Sequence, residues 1–176
     1  MILDALLQFS NAQNVFSNGT TVDSSNIIDF GLASPAIPVL SNNQGARDMG
    51  IGDDPALKLL VQVTTAFVGG TSCSVLLSGA TDNGSGAAAA FSTWYISPAY
   101  TVATLVAGER MLDIDFPRPP AGIAVPRFVK LTYTCVGNVT AGACSAYIVL
   151  DRIDQAYSST NNAVLGGYPA GITVAN

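Results

Sequence analysis

The stretch from Phe128 to Asp151 reads FVKLTYTCVGNVTAGACSAYIVLD, and its reading decides the fold. In its first half Val129, Leu131, Tyr133 and Cys135 alternate with Phe128, Lys130, Thr132 and Thr134. In its second half Cys144, Ala146, Ile148 and Leu150 alternate with Ser145, Tyr147, Val149 and Asp151. Alternation with a period of two marks a half-buried β-strand. Gly137-Asn138-Val139-Thr140-Ala141-Gly142 between the halves is turn-forming. Read as a hairpin, the stretch sets Cys135 opposite Cys144, Tyr133 opposite Ala146, Leu131 opposite Ile148 and Val129 opposite Leu150. Every apolar position then shares one face, as a register with one buried side demands.

Working outward, the same period recurs upstream. Leu57, Leu59, Val61 and Val63 alternate with Lys58, Leu60, Gln62 and Thr64. Gly69-Gly70 punctuates, and Cys73 to Ser78 reads as the next strand. Thr93 to Ile96 and Thr101 to Val106 are β-prone; Leu112, Ile114 and Phe116 alternate with Met111, Asp113 and Asp115. Strands spaced by roughly a dozen residues across 57–151 predict an all-β, antiparallel, jelly-roll-like β-sandwich. Residues 1–56 are rich in Ser, Asn, Gly and Pro and read as an extended N-terminal arm with loops. Residues 152–176 read as an irregular C-terminal tail.

Composition narrows the function. The chain has 176 residues, no histidine, 7 Lys plus Arg and 12 Asp plus Glu, for a formal net charge of −5. Without histidine, Ser-His-Asp and Cys-His catalysis, His-ligated zinc and a histidine pH switch are excluded. The few scattered cations make a poor nucleic-acid surface, since phosphate binding needs clustered Lys and Arg. No apolar run reaches the roughly 18 residues of a membrane span. Met1 to Leu7 lacks a basic n-region and carries Asp4, so it does not read as a signal peptide. Only 11% of residues are charged, less than solubility usually demands of a free enzyme, which points to life in an assembly.

Cys135 and Cys144, facing each other in the hairpin, are within reach of a disulfide. With no secretory signal the preferred reading is a pair of buried free thiols. Asp48, Asp53 and Asp54 around Gly50-Ile51-Gly52 suggest a cation site, or more simply a turn capped by Asp side chains. Asp113 and Asp115 suggest acid–base work of a hydrolase, or the charged solvent face of an edge strand; the second is preferred. Trp94, Tyr95 and Tyr100, with Tyr147, Tyr157 and Tyr168, are the aromatic residues available to a carbohydrate-binding sandwich of a phage tail or fibre, the alternative function.

A family resemblance sharpens these expectations. Met1 to Gln13, Asn26-Ile27-Ile28-Asp29-Phe30-Gly31, Arg47 to Gly52, Leu59 to Val63, Leu131 to Gly137 with Thr140-Ala141-Gly142, and Val149-Leu150-Asp151 together resemble the capsid cement, or decoration, proteins of tailed bacteriophages. The resemblance implies a jelly-roll-like sandwich that binds the outside of an icosahedral shell as a homodimer and ties neighbouring capsomers together. Its partner is the major capsid protein. It implies no enzyme activity, no cofactor, no metal and no catalytic residue. The virion's outer capsid surface is then its location, after synthesis in the host bacterial cytoplasm. Ile2, Leu3, Leu6, Leu7, Phe9, Ile27, Ile28 and Phe30 of the arm are the expected capsid-binding residues. Truncation of residues 1–30 is expected to abolish binding while leaving the sandwich folded.

Overall fold

The protein's structure is a computed structural model that describes residues 5–15, 21–31, 57–150, 157–158 and 163–164. A short 3-10 turn, Ala5–Leu7, leads into β1 (Gln8–Asn14), β2 (Thr21–Asp23) and β3 (Ile28–Asp29). After these come β4 (Leu57–Gly69), β5 (Ser72–Ala80), β6 (Ser92–Ile96), β7 (Tyr100–Thr101), β8 (Arg110–Asp115), β9 (Phe128–Val136) and β10 (Val139–Leu150). Two further pieces, β11 (Tyr157–Ser158) and β12 (Ala163–Val164), pair with each other.

Two antiparallel sheets make the sandwich. One has the order β1-β10-β4-β8; the other has β2-β9-β5-β6, with β3 prolonging β2 along β9 and β7 prolonging β6 along β5. If β2 with β3 and β6 with β7 each count as one interrupted strand, the first strand lies beside the last. The arrangement is then the eight-stranded, double Greek-key jelly roll. The core between the sheets holds Leu59, Val61 and Val63 of β4, Val75 and Leu77 of β5, Leu131 and Tyr133 of β9, and Ala146 and Ile148 of β10.

The hairpin reading of Phe128 to Asp151 is half right. The inward residues are those that alternation selects, but β9 pairs with β5 and β10 pairs with β4. The chain crosses from one sheet to the other at Gly137-Asn138, so the two strands face each other through the core. Alternation reports which face is buried and is silent on the neighbour in the sheet. Cys135 therefore has its hydrogen-bonded neighbour in β5 and not in β10.

The disulfide forms within a sheet. Cys73 of β5 and Cys135 of β9 are direct antiparallel partners and are joined as a disulfide, with Cα atoms 4.1 Å apart. This corrects both the Cys135–Cys144 pairing and the reading of Cys135 as a thiol. Cys144 is free and buried, as preferred, with its Sγ 3.7 Å from Met111 Sδ.

A second correction concerns the N-terminal arm. Residues 8–31 supply three strands of the sandwich, and Phe9, Val15 and Ile28 belong to its core. Polar side chains lace β1 to the link between β2 and β3. Gln13 Oε1 accepts the Ser25 N–H at 2.7 Å, and Gln13 Nε2 donates to the Asp23 carbonyl at 2.7 Å. Asn26 donates its backbone N–H to the Phe9 carbonyl and its Nδ2 to the Gln8 carbonyl. Short polar residues look like loop in the sequence because here the edge is closed by side-chain hydrogen bonds rather than by apolar alternation.

Local irregularities have local causes. A register shift in the β4–β8 pairing falls between Val61 and Gln62, and Met111 and Leu112 are both buried although they are neighbours. Gly79 has no side chain because a Cβ there would sit 2.0 Å from the Trp94 ring and 2.7 Å from Pro126.

Candidate functional site

Strand directions give the sandwich two unlike poles. At one, β4 turns into β5 through Gly69-Gly70, and β9 turns into β10 through Gly137-Asn138. Gly70 has φ +70°, and a Cβ on it would lie 2.4 Å from Val139 Cγ2 and 2.9 Å from the Val136 carbonyl. The Cys73–Cys135 bond lies one residue pair inside this pole, next to the Ser72–Val136 pair. We refer to it as the closed pole.

At the opposite pole β4 begins, β10 ends, β3 ends, and Gln8 starts β1 opposite Tyr147. Gly31, Leu57 and Leu150, which flank 32–56 and precede the C-terminal residues, all lie here, as does the start of β1. This open pole also carries the loop from Phe116 to Arg127, which joins β8 of one sheet to β9 of the other.

Arg127 organises it. The guanidinium holds Asp29 with two hydrogen bonds, Nε to Oδ1 at 2.8 Å and Nη2 to Oδ2 at 2.9 Å, and its Nη1 contacts Asp82 Oδ2. Such a fork-on-carboxylate pair is directional as well as charged. Asp82 Oδ1 in turn accepts the N–H groups of Gly86 and Gly84. Those two backbone donors, and then Arg127, hold the Asp82 carboxyl below the ordinary carboxylate value. The Arg127 backbone N–H donates to the Ala80 carbonyl, and its carbonyl accepts from Phe30 N–H. One residue thus ties together the end of β3, the turn after β5 and the loop before β9.

Exposed apolar side chains lie at both poles: Val68 and Val136 adjoin the closed-pole turns, and the open pole has its own. Val125 is 81% exposed and Ile123 is 42% exposed, in a loop that also contains Pro117, Pro119, Pro120 and Pro126. Leu6 and Ile27 are exposed as well, and the Asn26 bonds to Gln8 and Phe9 hold their two segments together.

The expected capsid-binding residues separate into three groups. Leu6 and Ile27 are exposed at the open pole. Leu7 and Phe30 are half-buried and pack against the core, whereas Phe9 and Ile28 lie in it at 0% and 2% exposure. For Phe9 and Ile28 a contact role is corrected to a packing role: their apolar surface is already covered from within. Ile2 and Leu3 lie outside the described residues. Ile123 and Val125 are further exposed apolar residues that sequence reasoning did not single out. Their signal was present in a connection that carries Ile, Val and Pro where loops ordinarily carry polar residues.

The other candidates are placed as follows. Asp113 pairs with Arg110 at 3.0 Å and Asp115 with Lys58, on edge strand β8, as the preferred edge-strand reading expected. Asp48, Asp53, Asp54 and Tyr168 lie outside the described residues. Trp94, Tyr95 and Tyr100 pack against the core, and the Trp94 ring lies over Gly79. Burial pushes the Cys144 thiol up to about 12, so it stays protonated and is no nucleophile at neutral pH. The Tyr133 hydroxyl is also raised by burial and is satisfied by Ser10 Oγ at 2.8 Å. Among the described residues no group of three or more His, Cys, Asp and Glu is placed to hold a metal, and no helix is long and apolar enough to cross a membrane.

The match to known families follows the sandwich. The family model described as Bbp16 matches residues 9–148, from β1 into β10. The chain belongs to the Bbp16 family. Bbp16 is a Bordetella phage protein. The matched span of this Bbp16-family chain starts at Phe9, which supports counting β1 to β3 with the sandwich rather than with an arm. No curated protein matches the chain.

Proposed function

We propose that this Bbp16-family protein is a capsid cement protein: a structural component of a phage virion that binds the outer surface of the icosahedral shell. It holds neighbouring capsomers against the pressure of packed DNA. The observation that carries this reading is the family match to a phage protein over the whole jelly roll. The sparse charge supports it.

The major capsid protein is the partner, and the working unit is a homodimer. A dimer presents two open poles, so each attachment raises the effective concentration of the other on a rigid lattice. A ligand that binds only the expanded lattice stabilises it by mass action, with no chemistry required. The test is sedimentation of purified protein with expanded capsids that lack it. Saturable binding at a fixed ratio to the shell protein is the expected result. A folded, soluble protein left entirely in the supernatant would overturn the reading.

A further inference from the structure

We propose that Asn83-Gly84, in the loop after β5, is a self-modifying site: the folded chain converts Asn83 through a succinimide into aspartate and isoaspartate, with Asp82 as the proton acceptor. The proposal stands apart from the cement reading. It rests on three groups that the loop brings to one peptide bond.

The first is the attacking nitrogen. Succinimide formation needs the backbone nitrogen of the next residue to attack the asparagine side-chain carbon, Cγ. Here that residue is Gly84, which is exposed with φ +92° and has nothing within 4 Å of where a Cβ would be. No side chain obstructs the approach.

The second is the proton acceptor. The Gly84 N–H donates to Asp82 Oδ1 at 2.6 Å. That is the reach of a general base, and it falls on the one proton the nitrogen must lose. Asp82 is itself held in place. Its Oδ2 contacts Arg127 Nη1, its Oδ1 also accepts the Gly86 N–H at 3.0 Å, and its backbone bridges to Ala88.

The third is a set of donors around Asn83 Oδ1. When Cγ becomes tetrahedral, this oxygen takes up the negative charge. It already accepts the Ser85 N–H at 2.9 Å, the Ser85 hydroxyl at 2.7 Å and the Ala87 N–H at 3.4 Å. Donors fixed in advance around a developing oxyanion lower the barrier without reorganisation.

The reaction balances with water as its only co-reactant. The Gly84 nitrogen bonds to Asn83 Cγ, and its proton passes to Asp82 Oδ1. The Cγ–Nδ2 bond breaks as that proton moves to the departing nitrogen, which leaves as ammonia. Water then opens the ring at either carbonyl. Both products set a second carboxylate beside Asp82, and the isoaspartate also lengthens the backbone between Asp82 and its donors Gly84 and Gly86. The modification therefore weakens the anchor of Arg127 at the open pole. Asn138 is the internal comparison, because branched Val139 follows it and the Val139 N–H is directed at the Gly137 carbonyl, 3.1 Å away.

The experiment keeps the full chain in weakly alkaline buffer, native or unfolded in urea at the same pH. Peptides covering residues 83 and 138 are followed in time by mass spectrometry, and isoaspartate is scored by enzymatic methylation. The expected result is conversion of Asn83 about tenfold or more faster in the native chain than in the unfolded one, with native Asn138 intact. Asp82→Asn brings the native rate down to the unfolded rate, and Ser85→Ala slows it severalfold. Arg127→Gln frees the Asp82 carboxylate from its cation without removing it and keeps the fast rate, which separates proton acceptance from loop order. Circular dichroism checks that each variant is folded. A native rate equal to or below the unfolded rate in wild type overturns the proposal, whatever the variants do. A native excess that survives Asp82→Asn, or that a folded Arg127→Gln loses equally, overturns it as well.

Discussion

The two poles of the sandwich are built from the same strands and solve opposite problems. The closed pole has turns of two glycines or Gly-Asn, backbone approaches too tight for a Cβ, and a disulfide one residue pair inside. The open pole is held by a side-chain clamp centred on Arg127, and both poles display apolar side chains: Ile123, Val125, Leu6 and Ile27 at the open one, Val68, Val106 and Val136 at the closed one. The contrast teaches that a jelly roll can be locked at one end by backbone and covalent constraint and at the other by side-chain hydrogen bonds.

The largest expected effect separates wall from pole. Deleting residues 1–31 removes β1, β2 and β3 together with Phe9, Val15 and Ile28, so the remainder loses its native fold. Deleting only the first four residues removes nothing from the described sandwich and leaves a cooperative thermal transition. A folded, cooperative 32–176 fragment would break the distinction and restore the N-terminal region to the status of a dispensable arm.

Next in size is the covalent lock. Cys73 and Cys135 are 62 residues apart in sequence, and their double replacement by Ala should lower stability by about 2–4 kcal/mol in urea unfolding. Reduction under denaturing conditions should do the same. An unchanged midpoint would show that the closed pole is held by packing alone.

Glycines compare the poles directly. Gly70→Ala meets both a backbone strain at φ +70° and the Val139 and Val136 atoms, and should cost about 2–3 kcal/mol. Gly122→Ala in the open-pole loop has φ +89° but nothing within 4 Å, so it should cost only about 1 kcal/mol. Equal losses would erase the difference in tightness between the two ends.

The smallest effect is a pH response of the open pole. The Asp82 carboxyl is held below its ordinary value of 3.8 by the Gly86 and Gly84 N–H groups and Arg127. A lowered folded-state value means the stabilisation is fully present above 3.8 and is lost as pH falls through the lowered value. Brief digestion with pepsin in increasing acid should therefore cut 81–91 and 117–127 before the turns at Gly69-Gly70 and Gly137-Asn138. Simultaneous cutting at both poles would contradict this.

The sequence made β4, β5, β9 and β10 legible because their inward residues alternate, and alternation is the direct imprint of a half-buried pleat. It could not say that β9 and β10 face each other across the core, since a hairpin and a sandwich corner produce the same pattern. The disulfide was missed for that reason: Cys73 gains its partner only when β5 is set beside β9. Strands β1 to β3 were invisible because Gln13, Ser24, Ser25 and Asn26 hold them by hydrogen bonds rather than by apolar repeats. Of the expected contact residues, Leu6 and Ile27 reached the surface and Phe9 and Ile28 did not; an apolar residue in a short polar stretch carries no sign of which way it points.

The most direct test of the account is the temperature at which DNA-filled capsids release their DNA, measured by dye fluorescence with and without this protein and after its restoration. The account predicts earlier release from capsids that lack it and recovery when the purified protein is added back to saturation. Identical release temperatures, with the added protein bound to the shell, would contradict a cementing role.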